Sequence, residues 1–140
     1  MPHITLIRHG IAEDKKIGQA DFDRVLTHQW RKKFLWHIHK DEEQLYTIDM
    51  IICSPAIRCR QTCSLLASVI NIDPDWIVYD NRIYTFENSY DTLLEVLQSV
   101  PWNKQHICLI WHNDSISSLA SHLQRELIIM KKWKIIHTIL

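Results

Sequence analysis

Glycine is nearly missing from this 140-residue sequence, which holds only Gly10 and Gly18. Neither G-x-x-x-x-G-K-[ST] nor G-x-G-x-x-G can be written with them. The glycine-rich loops that cradle nucleotide phosphates are excluded, and with them nucleotide-dependent phosphoryl transfer through such loops. The four cysteines, Cys53, Cys59, Cys63 and Cys108, form no C-x-x-C pair and lie in no Gly/Ser-rich loop. That excludes the short-spaced zinc and redox motifs and a small disulfide-stapled scaffold. No stretch approaches the roughly 18 uninterrupted apolar residues of a membrane helix, and Met1-Pro2-His3 leads straight into a strand-like run without a basic-then-apolar leader. The expectation is a soluble, cytoplasmic protein with no membrane contact. An excess of one charge is absent too: 16 basic residues balance 16 acidic ones, so no whole-molecule field draws in nucleic acid or anionic lipid. The local cluster Lys131, Lys132, Lys134 reads as a solvated face. Any anion site must be built from a few convergent groups.

What is present is ordinary globular material, 46% apolar and 23% charged, long enough to bury its own core as one domain over residues 1–140. Ile4 to Ile7, Met50 to Cys53, Trp76 to Tyr79 and Ile107 to Trp111 are apolar runs too short for helices, and read as strands. Residues 10 to 26 form a long polar loop. Thr27 is an N-cap for a helix showing Trp30, Phe34, Leu35 and Ile38 on one side. Ser54-Pro55 reads as N-cap and first residue of a helix whose Cys59, Cys63, Leu66, Ala67 and Ile70 share a core face. Such thiols are reduced and buried. Tyr90, Leu93, Leu94 and Leu97 follow helical spacing up to Pro101. Ile116, Leu119, Ala120, Leu123 and Leu127 mark a last helix, and Trp133 to Leu140 a closing edge strand. The alternation gives the α/β class: a three-layer αβα sandwich with a mostly parallel central sheet. His37 and His39 point nearly opposite ways on their helix and cannot share a metal. The tryptophans, Trp30, Trp36, Trp102 and Trp133 among them, read as packing or half-exposed groups rather than a ligand cage.

In such sheets ligands sit at the carboxyl ends of the strands. There the sequence places Arg8-His9-Gly10, then Ser54-Pro55-Ala56-Ile57-Arg58, then His112-Asn113-Asp114-Ser115. Taken singly, each has a plain reading: a surface turn for Arg8-His9, a solvated first-turn residue for Arg58, a satisfied near-core histidine for His112. One site explains all of them together. Arginine forks suit phosphate oxygens, a helix opening at Ser54-Pro55 adds free N–H groups, and a neutral imidazole can attack phosphorus when its other nitrogen is pinned. His9, beside the chain-breaking Gly10, is assigned attack. Arg8, Arg58 and His112 are assigned to hold the phosphoryl oxygens.

At these residues the chain resembles the histidine phosphatase superfamily, the phosphoglycerate mutase-like proteins. Its R-H-G strand end is matched by Leu6-Ile7-Arg8-His9-Gly10, its S-P-x-x-R-x-x-Q-T motif by Ser54 to Thr62, and its later histidine by Trp111-His112-Asn113, a resemblance running from residue 4 to about 123. The size and the segment Arg24-Val25-Leu26-Thr27 look most like the SixA-type phosphohistidine phosphatase branch. The resemblance implies that fold, a covalent phosphohistidine on His9, no metal and no organic cofactor. Gly10, Ser54, Asn113, Asp21 and Arg24 are the accompanying candidates for substrate binding. For Asp21, Asp23 and Arg24 the competing reading is that of solvated loop residues. Glu87 lies where larger members carry a general acid, and reads equally as a solvated loop carboxylate. The chain departs from the pattern at Trp111, which replaces a glycine and would crowd the pocket floor, at Asp114, where many members have proline, and at Trp30, in place of the glycine after L-T.

Three functions follow. The first is removal of phosphoryl groups from phosphohistidine in a protein partner, such as a phosphorelay domain. The second is the same chemistry on a small phosphorylated metabolite. The third is an anion-binding domain with little turnover.

Overall fold

Four apolar runs pair side by side. In the computed structural model, which describes residues 2–81, 91–112, 115–131 and 134–140, β1 (His3–Arg8), β2 (Met50–Cys53), β3 (Ile77–Tyr79) and β4 (His106–Trp111) are parallel. The fifth strand, β5 (Ile135–Ile139), pairs antiparallel with β1. The order across the sheet is β3-β2-β4-β1-β5. The helices are α1 (His28–Lys40), α2 (Glu42–Leu45), α3 (Ile57–Val69), α4 (Asp91–Gln98) and α5 (Ser115–Gln124).

Side chains alternate across a strand, and here both faces are covered. Ile4, Leu6, Ile52, Ile107, Leu109 and Trp111 pack against Leu93 and Val96 of α4 and Ile116 and Leu119 of α5. Ile7, Ile51, Cys53, Cys108 and Ile110 pack against Phe34 and Ile38 of α1 and Cys59, Cys63 and Leu66 of α3. The structure is therefore the expected three-layer arrangement, and all four thiols are unpaired and buried. No helix among the described residues is long and apolar enough to cross a membrane.

Three boundaries differ from the sequence reading. The helix after β2 begins at Ile57, with Ala56 as its cap, so Ser54-Pro55 forms the bend before it: Ser54 is still tied to the sheet through its N–H to Ile110 O (3.0 Å). Trp76 lies in a 3-10 turn, Pro74–Trp76, ahead of β3. The last helix ends at Gln124, and Leu127 beyond it is 88% exposed, because Arg125 adopts a left-handed φ of 57° that breaks the helix. Thr27 does cap α1, accepting from Trp30 N at 3.3 Å. Trp111 is a core residue of the α4/α5 layer, 1% exposed, so its bulk goes into the sheet's far face rather than onto the pocket floor.

Candidate active site

The strand order brings three strand ends together. Arg8 of β1 pairs with Trp111 of β4, so His9 and His112 follow adjacent, parallel positions. Cys53 of β2 pairs with Ile110 on the other side of β4, which sets Ser54 beside the same edge. Backbone bonds continue the ladder past the strands: His9 N donates to Trp111 O at 3.2 Å. The two imidazoles end up edge to face, with centroids 5.3 Å apart.

Hydrogen bonds fix which nitrogen does what. His9 Nδ1 lies 2.6 Å from Gly10 O. A carbonyl can only accept, so Nδ1 carries the proton and Nε2 presents a lone pair. Arg58 Nε donates to that Nε2 at 3.3 Å. The guanidinium also reaches His112 Nδ1 at 3.2 Å; since arginine only donates, His112 is bare at Nδ1 and protonated at Nε2, which lies 2.6 Å from Ser54 Oγ. Burial, above all, pushes the His9 pKa down to about 3, aided by the charges of Arg58 and Arg8. Burial and the same arginines lower His112 to about 4. Both rings are neutral at physiological pH, as a nitrogen nucleophile must be.

The other sequence candidates take definite places. Arg8 NH1 donates to Met130 O at 2.8 Å, and its backbone N–H to Lys134 O at 3.2 Å; its charge bears on both histidines. Gly10 is buried and has no positive φ, which among the glycines belongs to Gly18 (77°). A Cβ at Gly10 would meet Leu26 Cδ2 at 3.4 Å and Trp30 Cβ at 3.7 Å, so α1 and the residues before it pack directly on the strand end. Ser54 is fully buried, its hydroxyl engaged by His112 and by Ala56 N (3.4 Å); it faces the histidine, not an open pocket. Asp21 Oδ2 accepts from Arg58 NH2 at 3.0 Å and its carbonyl from Arg58 NH1 at 2.8 Å. Arg24 NH1 donates to the other oxygen of Asp21 at 3.1 Å, and Arg24 Nε to Glu13 O at 3.0 Å. Asp23 is exposed. Asn113, Asp114 and Glu87 lie outside the described residues, as does the side chain of Ser115.

Three supports were not foreseen. The long loop closes on itself: Thr27 N donates to Ile11 O at 2.9 Å and Glu13 N to Val25 O at 2.7 Å, around an Ala12–Leu26 bridge. Gln61 Oε1 anchors that neck by accepting from Leu26 N at 2.7 Å, which gives the glutamine of the Ser54-to-Thr62 motif a physical task. The 128–131 segment is strapped down by Met130 N donating to Ser117 Oγ at 3.0 Å, and so holds the carbonyl that grips Arg8. The motif spacing signalled Gln61; nothing local in the sequence signalled Met130. No group of acidic, histidine or cysteine side chains among the described residues is arranged to hold a metal.

No family model and no curated protein matches the sequence. Solved structures do match. A protein assigned as the phosphohistidine phosphatase SixA of Agrobacterium tumefaciens is 27% identical, with a TM-score of 0.77 over 88% of this chain and 77% of that one. The protein histidine phosphatase SixA complexed with tungstate superposes with a TM-score of 0.85 at 18% identity, over 99% of this chain and 88% of that one. A mycobacterial glucosyl-3-phosphoglycerate phosphatase shares the fold more distantly, at 14% identity and a TM-score of 0.66, over 97% of this chain and 89% of that one.

Proposed function

From a chain that belongs to the histidine phosphatase superfamily and is a phosphatase of that class, we propose that residues 1–140 form one domain that dephosphorylates phosphohistidine in a protein partner. His9 Nε2 attacks phosphorus and is transiently phosphorylated. The phosphoryl oxygens rest against Arg8, Arg58 and His112, and the two guanidinium groups supply the positive charge that meets the charge building up on them. Water then attacks phosphohistidine 9 and releases inorganic phosphate. His9 needs no separate base, because its Nε2 is already unprotonated. The observation that carries this reading is the 2.6 Å bond from His9 Nδ1 to Gly10 O, which leaves Nε2 unprotonated, its lone pair turned toward Arg58 Nε, a contact the incoming phosphoryl group replaces.

The phosphohistidine substrate is supported by the SixA proteins whose fold this chain shares, and the cytoplasm as its setting by four unpaired thiols. The site residues need neither metal nor organic cofactor for this chemistry. The test is a phosphohistidine-bearing protein labelled on phosphorus. The wild type should release labelled phosphate and, after acid-free quenching, carry label on His9. His9→Ala should lose turnover by at least about a thousandfold with an unchanged circular dichroism spectrum. Turnover that survives His9→Ala rejects the mechanism.

A further inference from the structure

Asp21 holds a place that anion binding by itself does not explain: it sets a carboxylate among groups that suit an anion. The Arg58 guanidinium is a short bar. Its Nε end faces the nucleophile, His9 Nε2, at 3.3 Å, and its other end carries Asp21, through Oδ2 at 3.0 Å and the backbone carbonyl at 2.8 Å. The second carboxylate oxygen is tied to Arg24 at 3.1 Å. A carboxyl group that accepts from two guanidinium forks is held ionised, so it is no proton donor and cannot act as a general acid. It remains one-third exposed, 36% at the side chain, so solvent reaches it at the outer end of Arg58.

Displacement at phosphorus is in line. A phosphoryl group lying along Arg58 and attacked from the His9 end has its leaving group directed away from His9, toward Asp21. We propose that Asp21 is a specificity-determining residue, a fixed negative charge that selects substrates whose leaving group is cationic or neutral and rejects those whose leaving group becomes anionic. This rests on the phosphatase reading above and names the substrate class of that site.

The charge balance supports the choice. A phosphoimidazole enters protonated on its second ring nitrogen. His9 Nε2 forms the new N–P bond, the substrate's P–N bond breaks, its electron pair goes to the departing ring nitrogen, and a neutral imidazole leaves. The leaving group therefore carries partial positive charge until the bond is broken, and a carboxylate stabilises it relative to the unprotonated substrate in solution. A phosphate ester sends its electron pair to oxygen, and the same carboxylate opposes the negative charge that develops. Substrates bearing a carboxylate near the phosphate meet the same repulsion.

The experiment compares N-phosphoimidazole with p-nitrophenyl phosphate as small substrates, and vanadate as an inhibitor, in wild type, Asp21→Asn and Asp21→Glu. In Asp21→Asn the ratio of kcat/KM for N-phosphoimidazole to that for p-nitrophenyl phosphate should fall at least tenfold, and vanadate should bind at least threefold tighter as the competing charge disappears. Asp21→Glu keeps the charge and should retain the wild-type ratio. Equal loss on both substrates, or weaker vanadate binding in Asp21→Asn, would show that Asp21 only props up Arg58 and overturns the proposal. Failure of the parent reading looks different: wild-type protein that cleaves p-nitrophenyl phosphate but no phosphohistidine protein disproves the protein substrate, while the leaving-group ratio and the vanadate shift still decide the role of Asp21.

Discussion

Arg58 makes four bonds within the protein, to His9, to the carbonyl and carboxylate of Asp21, and to His112. It is buried, 7% exposed, and none of these partners can be replaced by water without disturbing the others. A guanidinium so fixed loses little freedom when it meets phosphate. Arg58→Ala should therefore weaken vanadate binding by about 10- to 100-fold, the worth of charge-assisted bonds of about 1.5–3 kcal/mol, as read by isothermal titration. Undiminished binding would assign Arg58 to structure alone. Ser54 shows the same logic at second hand. Its hydroxyl holds the protonated Nε2 of His112, so that Nδ1 faces the arginine.

At the scale of elements, the edge strand β5 is latched to the far end of α1. Thr47 Oγ1 donates to Gln44 O, so His106 Nδ1, 2.6 Å away, donates to Thr47. Burial lowers the His106 pKa to about 4, the charges of His137 and His3 adding to the effect. The ring is thus neutral, and its Nε2 accepts from Thr5 Oγ1 at 2.7 Å. Thr5 in turn accepts from His137 Nδ1 at 2.8 Å, and His137 Nε2 donates to Asp41 Oδ2 at 2.6 Å. This relay ties β1, β4 and β5 to the α1–α2 junction at the end of the sheet opposite the active site. Asp41→Asn should cost about 1 kcal/mol, a figure already reduced because both side chains of the pair are about a third exposed. A double-mutant cycle with His137→Gln in urea should recover most of that as coupling. Additive effects would dissolve the latch.

Across the whole molecule, three histidines, His9, His106 and His112, are held neutral by burial, with pKa values of about 3, 4 and 4. In the unfolded chain each titrates near 6.5. Their folded pKa values are depressed, so the unfolded state binds the extra protons, and stability is fully present above pH ~6.5 and lost as pH falls through about 4 and, for His9, about 3. The slope is at most about 4 kcal/mol per pH unit when all three contribute. Urea midpoints at pH 7, 6 and 5 should therefore drop in sequence; a flat series would mean that the rings are not buried neutral. The same burial shows how far the sequence alone reached. Apolar runs and helical spacing dictated the layers, because each element has to hide one face, and the strand-end triplets named His9, Arg58 and His112, because chemistry in a parallel sheet collects where its strands end. Local signals could not give the order β3-β2-β4-β1-β5, which depends on which edges pair across a hundred residues. They misplaced the start of α3, since Ser54-Pro55 has the composition of a cap but its backbone stays bonded to β4. Asp21, already a loop candidate in the sequence, and Met130 lie 37 and 122 residues from the arginines they hold, and no spacing rule shows which arginine each one grips. The sequence determined which groups collect at the strand ends; the tertiary structure decided their tautomers, their charges and the grip of Asp21 on Arg58, because those depend on contacts made only when distant segments close on one another.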